Sequence, residues 1–154
     1  MKPMPEVLLV DDNAADVLLG SEALTVNPHS CHVSSVGDGE EALAFLRHEG
    51  RYVGTSCPDL VILDLSLPKK SGEVVLTEVR SEPKLRRIPM VIFSSSRANR
   101  DIVRSYELGA NCYLSKPANL SEFVSTVQLI GNFFGCCEPV LRGERWTVQK
   151  PTYC

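Results

Sequence analysis

Short runs of mostly apolar residues recur along this chain of 154 residues. Four such runs lie at 7–10, 60–63, 90–93 and 112–115, and each is far too short to cross a membrane. A continuous run of this length is typical of a strand that is buried on both faces of a parallel sheet. The segment 32–36 reads as one further strand, second in chain order. The pattern therefore predicts five short strands.

Segments in which apolar residues recur at helical spacing separate these strands. The residues expected to cap helix starts, by accepting hydrogen bonds from free N–H groups, are Asn13, Asp38, Ser71 and Asn119. A further helix is predicted over about 99–108, followed by Gly109. Gly135 is expected to end the last helix. The connecting segments 51–58 and 84–89 are expected to be loops.

Five strands that alternate with five helices predict an α/β fold. The expected form is a flavodoxin-like, doubly wound, five-stranded parallel sheet with right-handed crossovers and strand order 2-1-3-4-5. We expect this domain to span 1–135 and a C-terminal extension to span 136–154.

Polar side chains follow four of the five predicted strands. They are Asp11 and Asp12 after the first, Asp64 after the third, Ser94 to Ser96 after the fourth, and Lys116 after the fifth. One aspartate in such a place is equally well read as a helix cap or a turn residue. Four complementary sets at one sheet edge are harder to explain as turn chemistry, because ligands of open α/β sheets bind outside the carboxyl ends of the strands. The sequence therefore predicts a functional site at this edge.

The predicted strand order brings Asp11 and Asp12 alongside Asp64. Three carboxylates in close proximity repel one another, and a divalent cation removes that conflict. Carboxylate oxygens and water are the ligands that Mg²⁺ prefers. A cation beside a nucleophilic carboxylate is also the setting for phosphoryl transfer. Lys116 supplies a second positive charge and the Ser94 hydroxyl can donate to a phosphoryl oxygen, so an aspartyl phosphate is the expected product.

Composition excludes several other classes of protein. The chain is 44% apolar and 23% charged, as in ordinary globular domains, and its net charge of −3 gives no electrostatic case for binding nucleic acid or a membrane. No stretch approaches the roughly 20 apolar residues of a membrane helix. The N-terminus leads directly into a strand and leaves no room for a signal peptide, so we expect a cytoplasmic protein.

The six cysteines do not form a recognisable metal site. No C-x-x-C pair is present and the chain has three histidines, which disfavours structural zinc. Most of the cysteines are expected to be buried thiols in a reducing compartment. A redox-active pair is the less favoured interpretation of the adjacent Cys136 and Cys137. The sequence does not assign these two cysteines a role.

Taken together, these motifs resemble the receiver domain of two-component response regulators. The resemblance covers about 7–134 and rests on the segments 10–13, 63–68 with Gly72, 94–95 and 115–117. The intervals of 30 residues from Asp64 to Ser94 and 22 from Ser94 to Lys116 are those expected of the family. More narrowly, the segments 13–16, 85–89 and 109–113 are similar to the single-domain regulators that accompany bacterial and cyanobacterial phytochromes.

The resemblance implies a role for each acidic residue of the site. Asp64 would accept a phosphoryl group from a phosphohistidine on a sensor histidine kinase, and the narrower similarity implies that this kinase is a phytochrome. Asp12, Asp64 and the backbone carbonyl of Ser66 would bind Mg²⁺ directly, and Asp11 would act through water. The resemblance implies no enzymatic activity beyond self-catalysed phosphorylation and dephosphorylation.

The resemblance also implies how the phosphoryl group is held and sensed. Lys116, Ser94 and Ser95 would contact it, and the bond between Lys116 and Pro117 would be cis. Ser94, where the family more often has threonine, and Tyr113 would form the conformational switch.

Two alternative functions stay open at this point. Phosphohydrolases of the haloacid dehalogenase type also use a strand-end aspartate and Mg²⁺, but they have a second acid two residues later, where this chain has Ser66. A degenerate receiver would act only as an interaction module, although all the residues for phosphorylation are present. The kinase and the downstream target are not specified by the sequence.

The predicted fifth helix has more apolar residues than one buried face accommodates. They occupy positions 127, 129, 130, 133 and 134, and Leu129 and Phe133 lie off the face that the others share. Either the C-terminal extension folds back over them, or they form an interface. We favour a homodimer in which this helix, the fifth strand and the extension pack against their symmetry mates, and phytochrome-associated regulators similar to this chain often dimerise.

Overall fold

The computed structural model describes residues 4–26 and 31–136, with only the backbone described for 134–136. Five parallel strands form one sheet in the order β2-β1-β3-β4-β5. They are β1 (Glu6–Val10), β2 (His32–Val36), β3 (Leu60–Leu63), β4 (Met90–Ser94) and β5 (Cys112–Ser115). The predicted flavodoxin-like fold and its strand order are thus confirmed.

Of the five α-helices in the described residues, four connect successive strands and the fifth follows β5. They are α1 (Ala14–Thr25), α2 (Gly39–Leu46), α3 (Gly72–Ser81), α4 (Asn99–Glu107) and α5 (Leu120–Cys136). The predicted caps are in place, since side-chain oxygens of Asn13, Asp38, Ser71 and Asn119 each accept a hydrogen bond from the backbone N–H three residues later. These caps satisfy N–H groups that have no partner within the helix.

The sheet separates two hydrophobic clusters, because successive side chains of a strand point to opposite faces. In β1, Leu8 and Val10 pack with residues of α2 and α3, whereas Val7 and Leu9 pack with residues of α1 and α5. All four residues of β3 are buried. The central strands are therefore covered on both faces, as their unbroken apolar sequences predict.

Three local predictions are corrected by the structure. Gly135 does not end α5, which continues to Cys136, since a glycine inside a helix costs only about 1 kcal/mol. A short 3₁₀ turn, Gly50–Tyr52, lies at the start of the segment predicted to be a loop. The connector at 84–89 is more than a solvated loop, because its Leu85 and Ile88 are buried in the core.

The cysteines partly follow the expectation. Cys31 is a buried free thiol and Cys112 is a partly buried one, whereas Cys57 is disulfide-bonded. The predictions for Cys136, Cys137 and the C-terminal extension lie outside the described side chains. Within 4–26 and 31–136, no helix is long and apolar enough to cross a membrane.

Candidate functional site

Three carboxylates meet at the carboxyl edge of the sheet. Val10 of β1 is in register with Leu63 of β3, so the residues that follow these strands are neighbours. Oxygens of Asp11, Asp12 and Asp64 all lie within 4.8 Å of one another. Asp11 and Asp64 are buried, whereas Asp12 is exposed. The acidic cluster predicted from the sequence is therefore formed.

Lys116 enters this cluster from the end of β5. Its backbone N–H donates to the carbonyl of Ser94 at 2.7 Å, which aligns the ends of β4 and β5. Its Nζ donates to Asp11 Oδ2 at 2.7 Å and to Asp64 Oδ2 at 2.8 Å. The lysine is buried, so these are ion pairs in a site with little access to water.

A fourth carboxylate, Asp16, also contacts this lysine. Lys116 Nζ donates to Asp16 Oδ2 at 2.9 Å. Asp16 lies in the first turn of α1, where a negative charge suits the helix dipole, and the sequence analysis did not place it in the site. A sequence signal was nevertheless available, because the first turn of α1 directly follows the acids of β1 and therefore lies over the same sheet edge.

Burial and charge pairing change the pKa values of two groups in this site. Burial raises the pKa of Asp11, and hydrogen bonds from Lys116 and from the N–H of Asn13 only partly oppose it. Burial alone would lower the pKa of Lys116, but hydrogen bonds to Asp11, Asp64 and Asp16 outweigh it and raise that pKa. The lysine therefore stays charged, and Asp11 lies in surroundings that favour a further cation.

A close backbone approach holds Asp64 in place. Gly72, the first residue of α3, donates its N–H to the carbonyl of Leu65 at 2.9 Å. A Cβ atom added to Gly72 would lie 2.2 Å from the carbonyl oxygen of Asp64, which no side chain can occupy. Ser66 N–H makes a long hydrogen bond of 3.4 Å to Asp64 Oδ1, and the Ser66 side chain is exposed.

The loop between β4 and α4 connects Ser94 with Tyr113. Ser94 is buried, and its hydroxyl oxygen accepts a hydrogen bond from the N–H of Ser96 at 3.3 Å. The Tyr113 ring is also buried, and its hydroxyl donates to the carbonyl of Ser96 at 2.8 Å. Ser95 is exposed beside them. The two residues assigned to the switch are therefore linked through one residue of this loop.

The expected cis peptide before Pro117 is not found. No cis peptide bond occurs anywhere in the part of the chain that the structure describes, so Lys116 and Pro117 are joined by a trans bond. The trans isomer of such bonds is intrinsically favoured by about 0.5–1 kcal/mol.

The site fits a divalent cation. Carboxylate oxygens are the hard ligands that Mg²⁺, Ca²⁺ and Mn²⁺ prefer, and the Asp11, Asp12 and Asp64 oxygens are close enough to share one ion. Asp12 is exposed, which leaves access for the water molecules that such an ion retains.

This fold and this edge cluster define the class of protein. The sequence pattern of the response regulator receiver domain matches residues 7–128. The chain belongs to this family, whose members act as phosphoacceptors in two-component signalling and are in general not enzymes.

Individual relatives are similar over nearly their whole length. The response regulator Rcp1 of Synechocystis sp. is 41% identical over 132 residues, which are 86% of this chain and 90% of Rcp1. The structure of the phosphorylated cyanobacterial phytochrome response regulator RcpA has a TM-score of 0.83 at 47% identity, over 86% of this chain and 94% of RcpA. The Mn²⁺-bound form of Rcp1 has a TM-score of 0.81 at 41% identity, over 84% of this chain and 94% of that one.

Proposed function

We propose that this chain accepts a phosphoryl group on Asp64 from a phosphohistidine of a sensor histidine kinase. The observation that carries the proposal is the Asp64 carboxylate itself, buried at the end of β3 and held between the Lys116 ammonium group and two further acids. A carboxylate oxygen of Asp64 attacks the phosphorus atom and forms a P–O bond. The P–N bond of the phosphohistidine breaks, and its electron pair stays on the imidazole nitrogen.

Mg²⁺ is the proposed cofactor. Asp12, Asp64 and the backbone carbonyl of Ser66 would hold it directly, and Asp11 would do so through water. When bound, the ion neutralises charge on the phosphoryl oxygens. The Mn²⁺ in Rcp1 and the acidic cluster of this chain support a divalent ion at this place.

The remaining site residues would receive and sense the phosphoryl group. Lys116, Ser94 and Ser95 would donate hydrogen bonds to its oxygens, which carry nearly two negative charges. Movement of the Ser94 hydroxyl toward this group would break its contact with Ser96 and change the loop to which Tyr113 is bonded. We propose that this loop carries the switch. The buried position of the Tyr113 ring is then one of the two positions that the ring adopts.

We propose that the chain acts in the cytoplasm and that its phosphodonor is a phytochrome kinase. Support comes from RcpA, a phytochrome response regulator that is 47% identical to this chain. The test is phosphotransfer from purified phytochrome kinases compared with unrelated histidine kinases. Faster transfer from the phytochrome kinases is expected, and equal rates would contradict this assignment.

We also propose that the receiver domain, 1–135, forms a homodimer through α5, β5 and the extension at 136–154. Leu129 and Phe133 are 64% and 58% exposed. Together with Val91, Leu114 and Ile130 they line an apolar groove of about 400 Å³ between α5 and the sheet edge. An apolar surface of this kind supports an interface with a second copy of the chain.

Radiolabelled acetyl phosphate with Mg²⁺ tests the phosphoacceptor. Asp64→Asn keeps the shape of the side chain but removes the nucleophilic charge, so label uptake should fall to background. Asp38→Asn is the matched control, because Asp38 also follows a strand but caps α2, a role that Asn fills equally well. Uptake in the wild type that persists in Asp64→Asn would show a different acceptor, and no uptake in the wild type would favour an interaction module.

A further inference from the structure

The ammonium group of Lys116 has three N–H donors, and the structure gives each of them a carboxylate acceptor. Two acceptors, Asp11 and Asp64, follow strands of the sheet. The third, Asp16, belongs to α1 and is 2.9 Å away. In this state the lysine has no donor left for a phosphoryl oxygen. One of the three hydrogen bonds has to be exchanged when that group arrives.

The three hydrogen bonds differ in their exposure to water. The side chains of Asp11 and Asp64 are 5% and 9% exposed, whereas that of Asp16 is 24% exposed. An ion pair that water can reach is weaker and easier to break than one inside the protein. The bond to Asp16 is therefore the one that exchanges most readily.

Asp16 also adds negative charge where an anion must enter. Its carboxylate does not belong to the group of Asp11, Asp12 and Asp64 that could share a cation. Phosphoryl donors are themselves anionic, so Asp16 repels them. It also competes with them directly, because it occupies a donor of the lysine that attracts them.

We propose that Asp16 is a positioning residue that holds Lys116 until a phosphoryl oxygen replaces it. This inference rests on the proposed function. Asp16 keeps the lysine directed into the site through α1 and at the same time lowers the rate at which anionic donors react. After transfer, the released Asp16 competes for Lys116 and shortens the lifetime of the aspartyl phosphate.

Two substitutions separate the charge of Asp16 from its hydrogen bond. Asp16→Asn retains an oxygen that accepts from Lys116 but removes the charge. Asp16→Ala removes both. We expect Asp16→Asn to raise the second-order rate constant for acetyl phosphate about three- to tenfold at low salt, because one repulsive charge is lost. Asp16→Ala should be slower than Asp16→Asn, because the lysine also loses its tether.

Two controls test for general effects of charge. One is the ionic strength, and the other is a matched variant. The gain from Asp16→Asn should shrink as ionic strength rises from roughly 0.02 M to about 0.5 M, since screening weakens the repulsion. Glu22→Gln makes the same change of charge at an exposed position of α1 and should leave the rate constant unchanged. The phosphorylated form of Asp16→Asn should also decay more slowly than that of the wild type.

The outcomes are distinguishable. A rate constant for Asp16→Asn that equals or falls below the wild-type value would contradict the proposed competition between Asp16 and phosphoryl donors for Lys116. A rate constant for Asp16→Ala that equals or exceeds that of Asp16→Asn would overturn the positioning role. Failure of the wild type to take up any phosphoryl group would instead contradict the proposed function itself.

Discussion

Asp11 shows how a residue of this site opposes the stability of the fold. Burial raises its pKa despite its hydrogen bonds to Lys116 and Asn13. A carboxyl group whose pKa is higher in the folded than in the unfolded chain destabilises the fold at any pH above the folded pKa. The effect vanishes below the unfolded pKa, about 3.9, where both states carry the proton. Near neutral pH the raised pKa of Asp11 is therefore a cost to folding.

Asp11→Asn should remove this cost, and its single amide oxygen can keep the hydrogen bond from Lys116 while the one from the Asn13 N–H is lost. We expect the free energy of unfolding at pH 7 in metal-free buffer to rise by roughly 0.5–2 kcal/mol. The gain should shrink as the pH falls toward about 4. Urea unfolding at a series of pH values measures both, with Asp38→Asn as the control. A loss of stability at pH 7 would mean that the ion pair with Lys116 outweighs burial.

The sequence predicted the location of some residues of the site but not of others. Asp11, Asp12, Asp64 and Lys116 were predictable because parallel strands bring their C-terminal ends to one edge. Asp16 was missed as a lysine contact because its position also suited a helix start. A helix-capping pattern specifies where a residue lies along the helix but not what its side chain meets across the sheet edge.

The loop between β4 and α4 is the element through which the site reaches the surface. It contacts Tyr113 through the carbonyl of Ser96, and the hydroxyl of Ser96 in turn donates to Asp101 at the start of α4. Arg97 of the same loop donates to the carbonyl of Lys116 at 3.4 Å. In the proposed switch, movement of Ser94 toward a phosphoryl group would therefore act on α4 and β5 together.

Tyr113→Phe removes the hydroxyl that holds this loop and leaves the buried ring. One such hydrogen bond contributes about 1 kcal/mol, so amide exchange at 95–98 should become about fivefold faster. Hydrogen exchange followed by mass spectrometry measures this. Tyr52→Phe is the control, since Tyr52 is a partly buried tyrosine away from this loop. Unchanged exchange at 95–98 would show that the loop is held by other contacts.

Elements that local sequence specifies were predicted well, and those that depend on distant contacts were not. The bounds of β3 match the apolar pattern because all four of its residues are buried in the core. The connector at 84–89 was predicted to be solvated, but Nη1 of Arg80 donates to the carbonyls of both Arg86 and Ile88 and holds it in place. That contact joins α3 to a later segment and leaves no local signal.

At the scale of the whole molecule, an apolar groove lies between α5 and one edge of the sheet. If the groove beside α5 is a dimer interface, Phe133→Ala should weaken the dimer at least about tenfold, since a large apolar side chain contributes roughly 1.5–3 kcal/mol when fully buried. Sedimentation velocity over a range of micromolar concentrations measures the dissociation constant.

Leu18→Ala is the matched control for this experiment. Leu18 is 60% exposed on α1, outside the residues that line the groove. Its replacement should leave the dissociation constant unchanged. A wild-type chain that sediments as a monomer at all these concentrations would contradict the dimer.

Location of the phosphorylated residue tests the central claim most directly. The chain is incubated with acetyl phosphate and Mg²⁺, the acyl phosphate is reduced with borohydride, and the modified peptide is sequenced by mass spectrometry. Reduction converts an aspartyl phosphate to homoserine, and we predict this change at position 64 alone. Modification of another residue, or a chain that stays unmodified while a known receiver domain reacts in the same mixture, would contradict the assignment of Asp64 as the phosphoacceptor.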